Sequence, residues 1–164
     1  MYNGSGSITD YQTELKTMDF RRFQDTYYVR LDRGDEIISS LLDICRREGI
    51  RSATFSGIGG CETAEIQTFL AEKGEFETRV IRGALELISM MGNIVTDDEG
   101  TYFHHTHALY SWKDEEGQHQ MASGHMKASR VLYTAEMELR PVLDGRIGRK
   151  YDKETGTGFW DLTK

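Results

Sequence analysis

The sequence is poor in proline and cysteine and has no long hydrophobic run. It contains 1 Pro and 2 Cys, and no window approaches the roughly 18 continuous apolar residues of a membrane-spanning helix. The first residues, MYNGSGSITDYQTELK, also lack the apolar segment of a secretion signal. Cys45 and Cys61 stand too far apart for a paired metal-ligand motif. We therefore expect no membrane span, and two reduced thiols in a cytoplasmic protein.

An excess of positive charge is also absent, because the formal net charge is −7. Strong non-specific binding to nucleic acid requires clustered Lys and Arg that neutralise phosphates, so this balance argues against it. The one basic run lies near the C-terminus, where interleaved acidic residues favour a solvated loop. Its basic members are Arg140, Arg146, Arg149, Lys150 and Lys153.

The chain length of 164 residues favours one domain with a moderate core. We assign residues 1–24 to a polar N-terminal extension and residues 25–164 to a single domain. One helix is predicted in DRGDEIISSLLDICRREGI, with acidic residues in its first turn and a stop at Gly49. Its apolar face is expected to contain Ile37, Leu41, Leu42 and Cys45 and to extend to Ile38.

The remaining apolar segments have the composition and alternation of β-strands. Strands are predicted over residues 26–31, 52–60, 64–70, 76–81, 84–95, 101–112, 118–126 and 130–142. Short strands after one helix predict an α+β domain with a mainly antiparallel sheet packed by helix. The glycines of SGIGG, residues 56–60, are interpreted as a tight turn, because a phosphate-binding loop would need a following helix. The C-terminal tail is expected to be irregular up to FWDL.

Histidines concentrate in TYFHHTHALYS, residues 101–111. Side chains alternate across a strand, so His105 and His107 share a face and His104 points to the other. Residues two apart on one face have Cβ atoms roughly 7 Å apart, which lets two imidazoles converge on one metal ion. A third ligand would have to come from elsewhere in the fold.

His125 supplies that ligand if the next segment folds back as a hairpin. With KDEEG, residues 113–117, in the loop, Trp112 pairs with Gln118 and the same register places His105 opposite His125. Directly opposed residues point to the same face of the sheet. A change of one residue in loop length would move His125 to the other face.

Two interpretations of the histidines remain open. In the first, His105, His107 and His125 bind a divalent metal ion, with zinc the best-suited of the late first-row metals. An open fourth position would let bound water ionise near neutral pH. In the second, the imidazoles line a partly exposed hairpin without metal and titrate between about pH 5 and 8. His104 is on the wrong face, and His119 lies too near the turn to join them.

A single carboxylate interrupts the apolar row of residues 84–95. Glu86 is expected to share a face with Ile88 and Met90. A carboxylate at such a place is either buried with a hydrogen-bonding partner or exposed at an oligomer contact. Glu86 is also the candidate catalytic residue, as a general base beside a metal-bound water.

Five stretches follow one another between residues 25 and 142. They are YYVRLDRGDEIISSLLDICRREGIRSATFSGIGG, GALELISMMGNI, HTHALY, SGHM and RVLYTAEMEL. In this order they resemble the plant and prokaryote conserved (PPC) domain. The resemblance implies a mainly antiparallel α+β fold that assembles as a homotrimer. His105, His107 and His125 match an HxH…GH pattern of prokaryotic members, which implies a shared metal site near a subunit boundary.

The same family is also labelled as DNA-binding. In plant members the domain follows an AT-hook, a short Arg-Gly-Arg-Pro arm, and this sequence contains no such arm. It therefore resembles the stand-alone prokaryotic form. Ala84 and Leu85 stand where the family has Arg and Phe, whereas Glu86 is retained.

Three functions stay open from the sequence. The first is a trimeric metal-binding module that takes a small-molecule ligand. The second is a metal-dependent hydrolase or lyase that uses metal-bound water. The third is a DNA-associated regulator, against which the acidic balance and the missing AT-hook count.

Overall fold

One antiparallel sheet dominates the structure, a computed structural model that describes residues 18–163. In chain order the elements are β1 (Asp19–Phe23), β2 (Thr26–Asp32), α1 (Ile37–Glu48), β3 (Ser52–Leu70), β4 (Glu75–Thr96), β5 (Tyr102–Lys113), β6 (His119–Pro141), β7 (Gly148–Asp152) and β8 (Thr157–Asp161). Strands β1 to β6 form one sheet, and β7 and β8 form a separate hairpin. The helix packs against β6. The predicted fold class, a mainly antiparallel sheet packed by helix, is confirmed.

Helix α1 lies where the sequence pattern predicts it. Its N-cap Glu36 accepts hydrogen bonds from the backbone N–H groups of Ile38 and Ser39. Its C-cap Gly49 has a left-handed φ of 67°, which a residue without Cβ adopts at little cost. The acidic residues expected in the first turn precede the helix instead. The buried face contains Ile37, Ile38, Leu41, Ile44 and Cys45.

The apolar face of α1 is rotated slightly from the predicted one. Leu42, expected on that face, is only half-buried, whereas Ile44 is fully buried. Within residues 18–163 no helix is long and apolar enough to cross a membrane.

The glycines of residues 56–60 do not form the predicted turn, because β3 continues through them without a break. They allow β6 to approach closely: a Cβ on Gly59 would stand 2.7 Å from the Cβ of Ala135 and 2.7 Å from the carbonyl oxygen of Thr134. The register with β4 shifts between Gly57 and Gly59, as at a β-bulge, and such a shift bends a strand. The interpretation as a tight turn is therefore wrong, and the glycines are sites of strand contact.

Strand β6 closes the sheet by pairing with three other strands. Its residues 134–139 pair with β2, residues 125–141 pair with β3, and residues 119–125 pair with β5. Because β5 also pairs with β4, and β4 with β3, these four strands form a continuous ring of pairs. The enclosed face carries fully buried side chains such as Leu31, Leu85, Met90, Tyr110 and Leu139. Strands β3, β4 and β6 each join two segments that the sequence pattern separates.

The C-terminal tail forms a hairpin, so the prediction of an irregular tail is wrong. Strand β7 pairs with β8 from Gly148 opposite Asp161 to Asp152 opposite Thr157. The hairpin contacts β5 through Arg149, whose guanidinium carbon lies 4.1 Å from the ring centroid of Phe103.

The predicted N-terminal extension, residues 1–24, falls mostly outside the described range. Residues 19–23 form β1, which pairs with β2 at the edge of the sheet. Most of the side chains of β1 are exposed.

The close approach at Gly59 predicts a position-specific loss of stability. We expect Gly59→Ala to lower the free energy of unfolding by about 1–3 kcal/mol, because the added methyl group meets backbone and a buried Cβ that cannot move aside. Gly60→Ala is the matched control, since a Cβ there meets only the exposed side chain of Tyr133, which can rotate away. Urea unfolding compares the two variants, and equal losses would contradict the close-packing explanation.

Candidate metal centre

Two histidines lie on the outer face of β5. His105 and His107 are exposed, whereas Thr106 between them and Ala108 after them are buried. This is the period of two expected for a strand with one face on the core. His105 and His107 therefore share a face, as their spacing predicts.

The hairpin of β5 and β6 brings His125 to the same face, although not in the predicted register. Trp112 pairs with Gln120 rather than Gln118, and His125 stands opposite His107 rather than His105. The register differs by two residues, and because side chains alternate with a period of two, the face of His125 is unchanged. His125 is a direct neighbour of His107 and a diagonal neighbour of His105.

A shift of the loop explains the difference in register. Lys113, which the prediction placed in the loop, pairs with His119 and continues the ladder. The loop then begins at Asp114, whose carboxylate accepts hydrogen bonds from the backbone N–H of Gln118 and the side-chain amide of Gln120, both at 2.7 Å. The Asp114 carboxylate thus fixes the loop in this position.

The three histidines form a compact set of nitrogen donors. Ligand atoms of His105, His107 and His125 all lie within 4.8 Å of one another. The Nε2 atoms of His105 and His107 are 3.2 Å apart. In a tetrahedral zinc site with metal–nitrogen bonds of about 2.0–2.1 Å, two ligand nitrogens stand about 3.4 Å apart. The donor type and this spacing both fit a zinc-like divalent ion.

The environment of His105 and His125 favours the neutral form of their imidazoles. Partial burial lowers the pKa of His105 from its ordinary value, and the charge of His107 lowers it further. Burial also lowers the pKa of His125, with additional contributions from His105, His107 and His104. A metal binds the neutral imidazole, so these shifts keep the donors available at neutral pH.

Neither of the other two histidines belongs to the donor set. His104 lies half-buried, its Nδ1 is 3.0 Å from the hydroxyl oxygen of Thr106, and its ring stacks 6.5 Å from that of His125. Burial lowers its pKa, an effect that the negative charge of Glu36 opposes. His119 pairs with Lys113, about 20 Å along β6 from His125 at the rise of a strand.

Glu86 is not brought next to the histidines within the chain. It is exposed and pairs with Ser111, four positions beyond His107 on β5, which corresponds to about 13 Å. A general base must lie within hydrogen-bond reach of the proton that it removes, or one water away. The prediction that it shares a face with Met90 is also wrong, because a register shift between Leu87 and Ser89 leaves Met90 buried and Glu86 exposed.

A cavity of about 440 Å³ opens beside the histidines and was not predicted from the sequence. The C-terminal hairpin forms one of its walls. Side chains that line it include Asn93, Phe103, His105, Arg149, Phe159 and Trp160. The sequence pattern assigned Arg149 to a solvated loop, and the missed signal was the aromatic residues of GRKYD and TGFWD on either side of the short glycine-containing turn KETG.

The two cysteines do not offer a second reactive centre. Cys45 and Cys61 are buried and free. Burial raises the pKa of Cys45 to about 12, and burial also raises the pKa of Cys61. A thiol reacts as its thiolate, so both residues are inert core side chains at neutral pH.

One family profile matches most of the chain. The Plants and Prokaryotes Conserved (PCC) domain matches residues 18–142, a range that contains β1 to β6 and the three donor histidines. It ends before the C-terminal hairpin. No curated protein matches the chain. The resemblance seen in the sequence is confirmed by this match.

Solved structures of related proteins have the same fold over nearly their whole length. A plant- and prokaryote-conserved protein from Pyrococcus horikoshii is 33% identical, with a TM-score of 0.71, over 91% of this chain and 97% of that one. A protein described as metal-containing, from Archaeoglobus fulgidus, is 27% identical, with a TM-score of 0.72, over 89% and 99%. A candidate DNA-binding protein from Ralstonia eutropha JMP134 is 25% identical, with a TM-score of 0.74, over 87% and 95%.

The lowered pKa values predict that the metal-free protein loses stability as the pH falls below about 6.5. In the folded state His105 and His125 bind protons less readily than in the unfolded chain, so acid favours the unfolded chain. The full free energy of unfolding is present above the unfolded pKa and declines as the pH falls toward the lowered pKa. Urea unfolding of chelator-treated protein across this range measures the decline.

The control for this pH dependence is a pair of variants. His125→Asn removes one of the affected imidazoles and should make the decline shallower, whereas His119→Asn, at the far end of the hairpin, should leave it unchanged. A decline of equal steepness in His125→Asn and the parent protein would show that other groups cause it.

Proposed function

The chain belongs to the Plants and Prokaryotes Conserved (PCC) domain family, and we propose that it is a metal-binding member whose site is formed by His105, His107 and His125. The observation that carries this proposal is the convergence of three imidazole donors within 4.8 Å on one face of the sheet. The name of the Archaeoglobus fulgidus relative, a metal-containing protein, supports it.

Zinc is the ion that the donor set favours. Three neutral nitrogen donors suit zinc and other late first-row divalent ions better than magnesium or calcium, which prefer oxygen. His105 and His107 are exposed, so an ion held by them would keep one side toward solvent. The ligand that completes the coordination would therefore come from solution or from a neighbouring subunit.

A metal-dependent hydrolase or lyase is the second candidate function. Zinc with three histidine ligands would supply a bound water of lowered pKa. The observation that favours this candidate is the cavity beside His105, which gives a small molecule room near the centre. An enzyme would turn over a substrate and lose that activity when the metal is removed, whereas the first candidate, a metal-binding module, requires no turnover. Within one chain Glu86 stands too far along the sheet to serve as its base.

Direct DNA binding is the least supported of the three functions. It is suggested by the family label and by the name of the Ralstonia eutropha relative. The net charge of −7 opposes binding to phosphate, and the chain has no AT-hook sequence. Any association with DNA would have to depend on a local basic surface or on partner proteins.

We also propose that the protein is a homotrimer, with the histidine centre near a subunit boundary. An outer patch formed by Ile58, Ile88 and Tyr133 supports an oligomer contact, because these large side chains are about half exposed and line one groove with Glu86. Glu86 would then be a residue of the contact. We also propose a cytoplasmic location, with which the two free cysteines accord.

Elemental analysis of tag-free protein tests the metal site. We expect about one zinc or similar ion per chain in the parent protein and loss of that ion in His105→Ala, His107→Ala and His125→Ala, because two remaining imidazoles bind zinc weakly. His119→Ala, on the same strand as His125 but outside the set, is the matched control and should retain the metal.

Circular dichroism of each variant separates loss of the site from loss of the fold. Absence of bound metal in the parent protein after zinc supplementation, or equal metal content in His125→Ala, would contradict the proposed site. The histidines would then form a hydrogen-bonded cluster, in which one ring N–H joins His105 to His107.

Analytical ultracentrifugation tests the proposed trimer. We expect the parent protein to have three times the mass of one chain. Ile88→Glu should shift the equilibrium toward the monomer, because a charge would be buried without a partner in the contact. Leu143→Glu, a comparable change at an exposed residue outside the outer patch, is the control. A monomeric parent protein, or an unchanged Ile88→Glu trimer, would contradict this assignment of the outer patch.

A further inference from the structure

The cavity beside the histidines has the dimensions of a small-molecule site. Its volume of about 440 Å³ lies within the range of roughly 300–1,000 Å³ found for ligand pockets. One wall comes from β4 and β5 through Asn93, Phe103 and His105, and the other from the C-terminal hairpin. The family match ends at residue 142, so this second wall lies outside the matched range.

Arg149 gives the cavity a fixed positive charge. Its guanidinium carbon lies 4.1 Å from the ring centroid of Phe103, and the guanidinium also lies where a Cβ on Gly158 would be. The planar group thus packs against both an aromatic ring and a glycine backbone, and these contacts limit its motion. Arg149 is half-buried, and within residues 18–163 no carboxylate forms an ion pair with it.

The hairpin also contributes an apolar wall to the same cavity. Phe159 and Trp160 remain 48% and 44% exposed although the hairpin packs against the domain. Such half-exposed aromatic side chains are suited to stacking on a planar ligand. Opposite them, the Asn93 amide and the His105 imidazole provide polar groups, and His105 links the cavity to the histidine centre.

We propose that this cavity binds a small planar molecule that carries a carboxylate. The carboxylate pairs with Arg149, whose flat fork of N–H donors matches two carboxylate oxygens. The planar part packs against Trp160, which pairs with Arg149 across the hairpin and shares its face. The Arg149 anchor is independent of the metal, and only the reach of the ligand to His105 rests on the proposed metal-binding function.

Fluorescence of Trp160 provides a direct readout of binding. The chain has 2 Trp, so Trp112→Phe leaves Trp160 as the single tryptophan in the cavity wall. The probes are benzoate, benzamide and acetate, of which benzamide lacks the charge and acetate lacks the ring. We expect saturable quenching by benzoate, with a dissociation constant about tenfold lower than for benzamide, since a charged hydrogen-bonded pair contributes about that factor. Acetate should also bind more weakly than benzoate, because it has no ring to stack on the aromatic wall.

Variants of β7 test whether the preference for the charged probe depends on Arg149. In the Trp112→Phe background, Arg149→Gln should remove the preference for benzoate over benzamide, and Arg149→Lys should retain part of it because the charge remains. Lys150→Gln, the exposed neighbour on the same strand, should change nothing. Equal affinity for benzoate, benzamide and acetate, no saturable quenching, or a preference that survives Arg149→Gln in folded protein would each overturn the proposal.

The titrations are repeated on zinc-loaded and chelator-treated full-length protein, which separates this proposal from the metal site. A preference for benzoate that depends on Arg149 in both forms supports the cavity even if no metal is bound. One zinc per chain with no binding of benzoate would overturn the cavity proposal and leave the metal site intact.

Discussion

The fold and its histidine centre both depend on the shared pairing of β6. This strand pairs with β2, β3 and β5, so it connects the β1–β2 part of the sheet to β5 at the opposite end. It also holds the helix, because Glu36, the N-cap, accepts a hydrogen bond from the backbone N–H of Ser129 on β6. At His125 the strand is paired on both sides, with His107 of β5 and with Gln67 of β3. A side chain at this junction has a backbone fixed by two neighbours, which suits a residue that must meet others in space.

Local pattern was enough to predict the helix, the antiparallel sheet and the face shared by the histidines. These features follow from the period of apolar residues along the chain, which is a local property. The role of the glycines in residues 56–60 was not predictable in that way. Gly59 allows contact with Ala135, a residue far along the sequence, and a glycine pattern alone does not distinguish such contact from a turn. The length of β3 depends on that distant partner.

The histidine set was predicted despite an error in register. The reason is that side chains alternate between the two faces of a strand, so a register error of two residues leaves each side chain on its face. A shift of two residues changes the direct partner of His125 but not its face. Glu86 shows the opposite case, since a single register shift between Leu87 and Ser89 separates the faces of Glu86 and Met90. Arg149 was missed because its partner, Phe103, belongs to a strand that the hairpin meets only in the folded protein. Long-range docking of this kind leaves little trace in local composition.

The arrangement of donors on two paired strands has a consequence for how the hairpin chooses its register. His105 and His107 come from β5 and His125 from β6, so the three nitrogens share a face only in registers that keep His125 on the outer side of the sheet. A slip by one residue would turn His125 to the opposite face and dissolve the set. An ion held by all three would therefore bind only the registers that place His125 on this face, and mass action would favour those registers in the folding ensemble. The bound ion would then stabilise correct pairing of β5 and β6, and metal supply during synthesis would affect the yield of correctly folded chains.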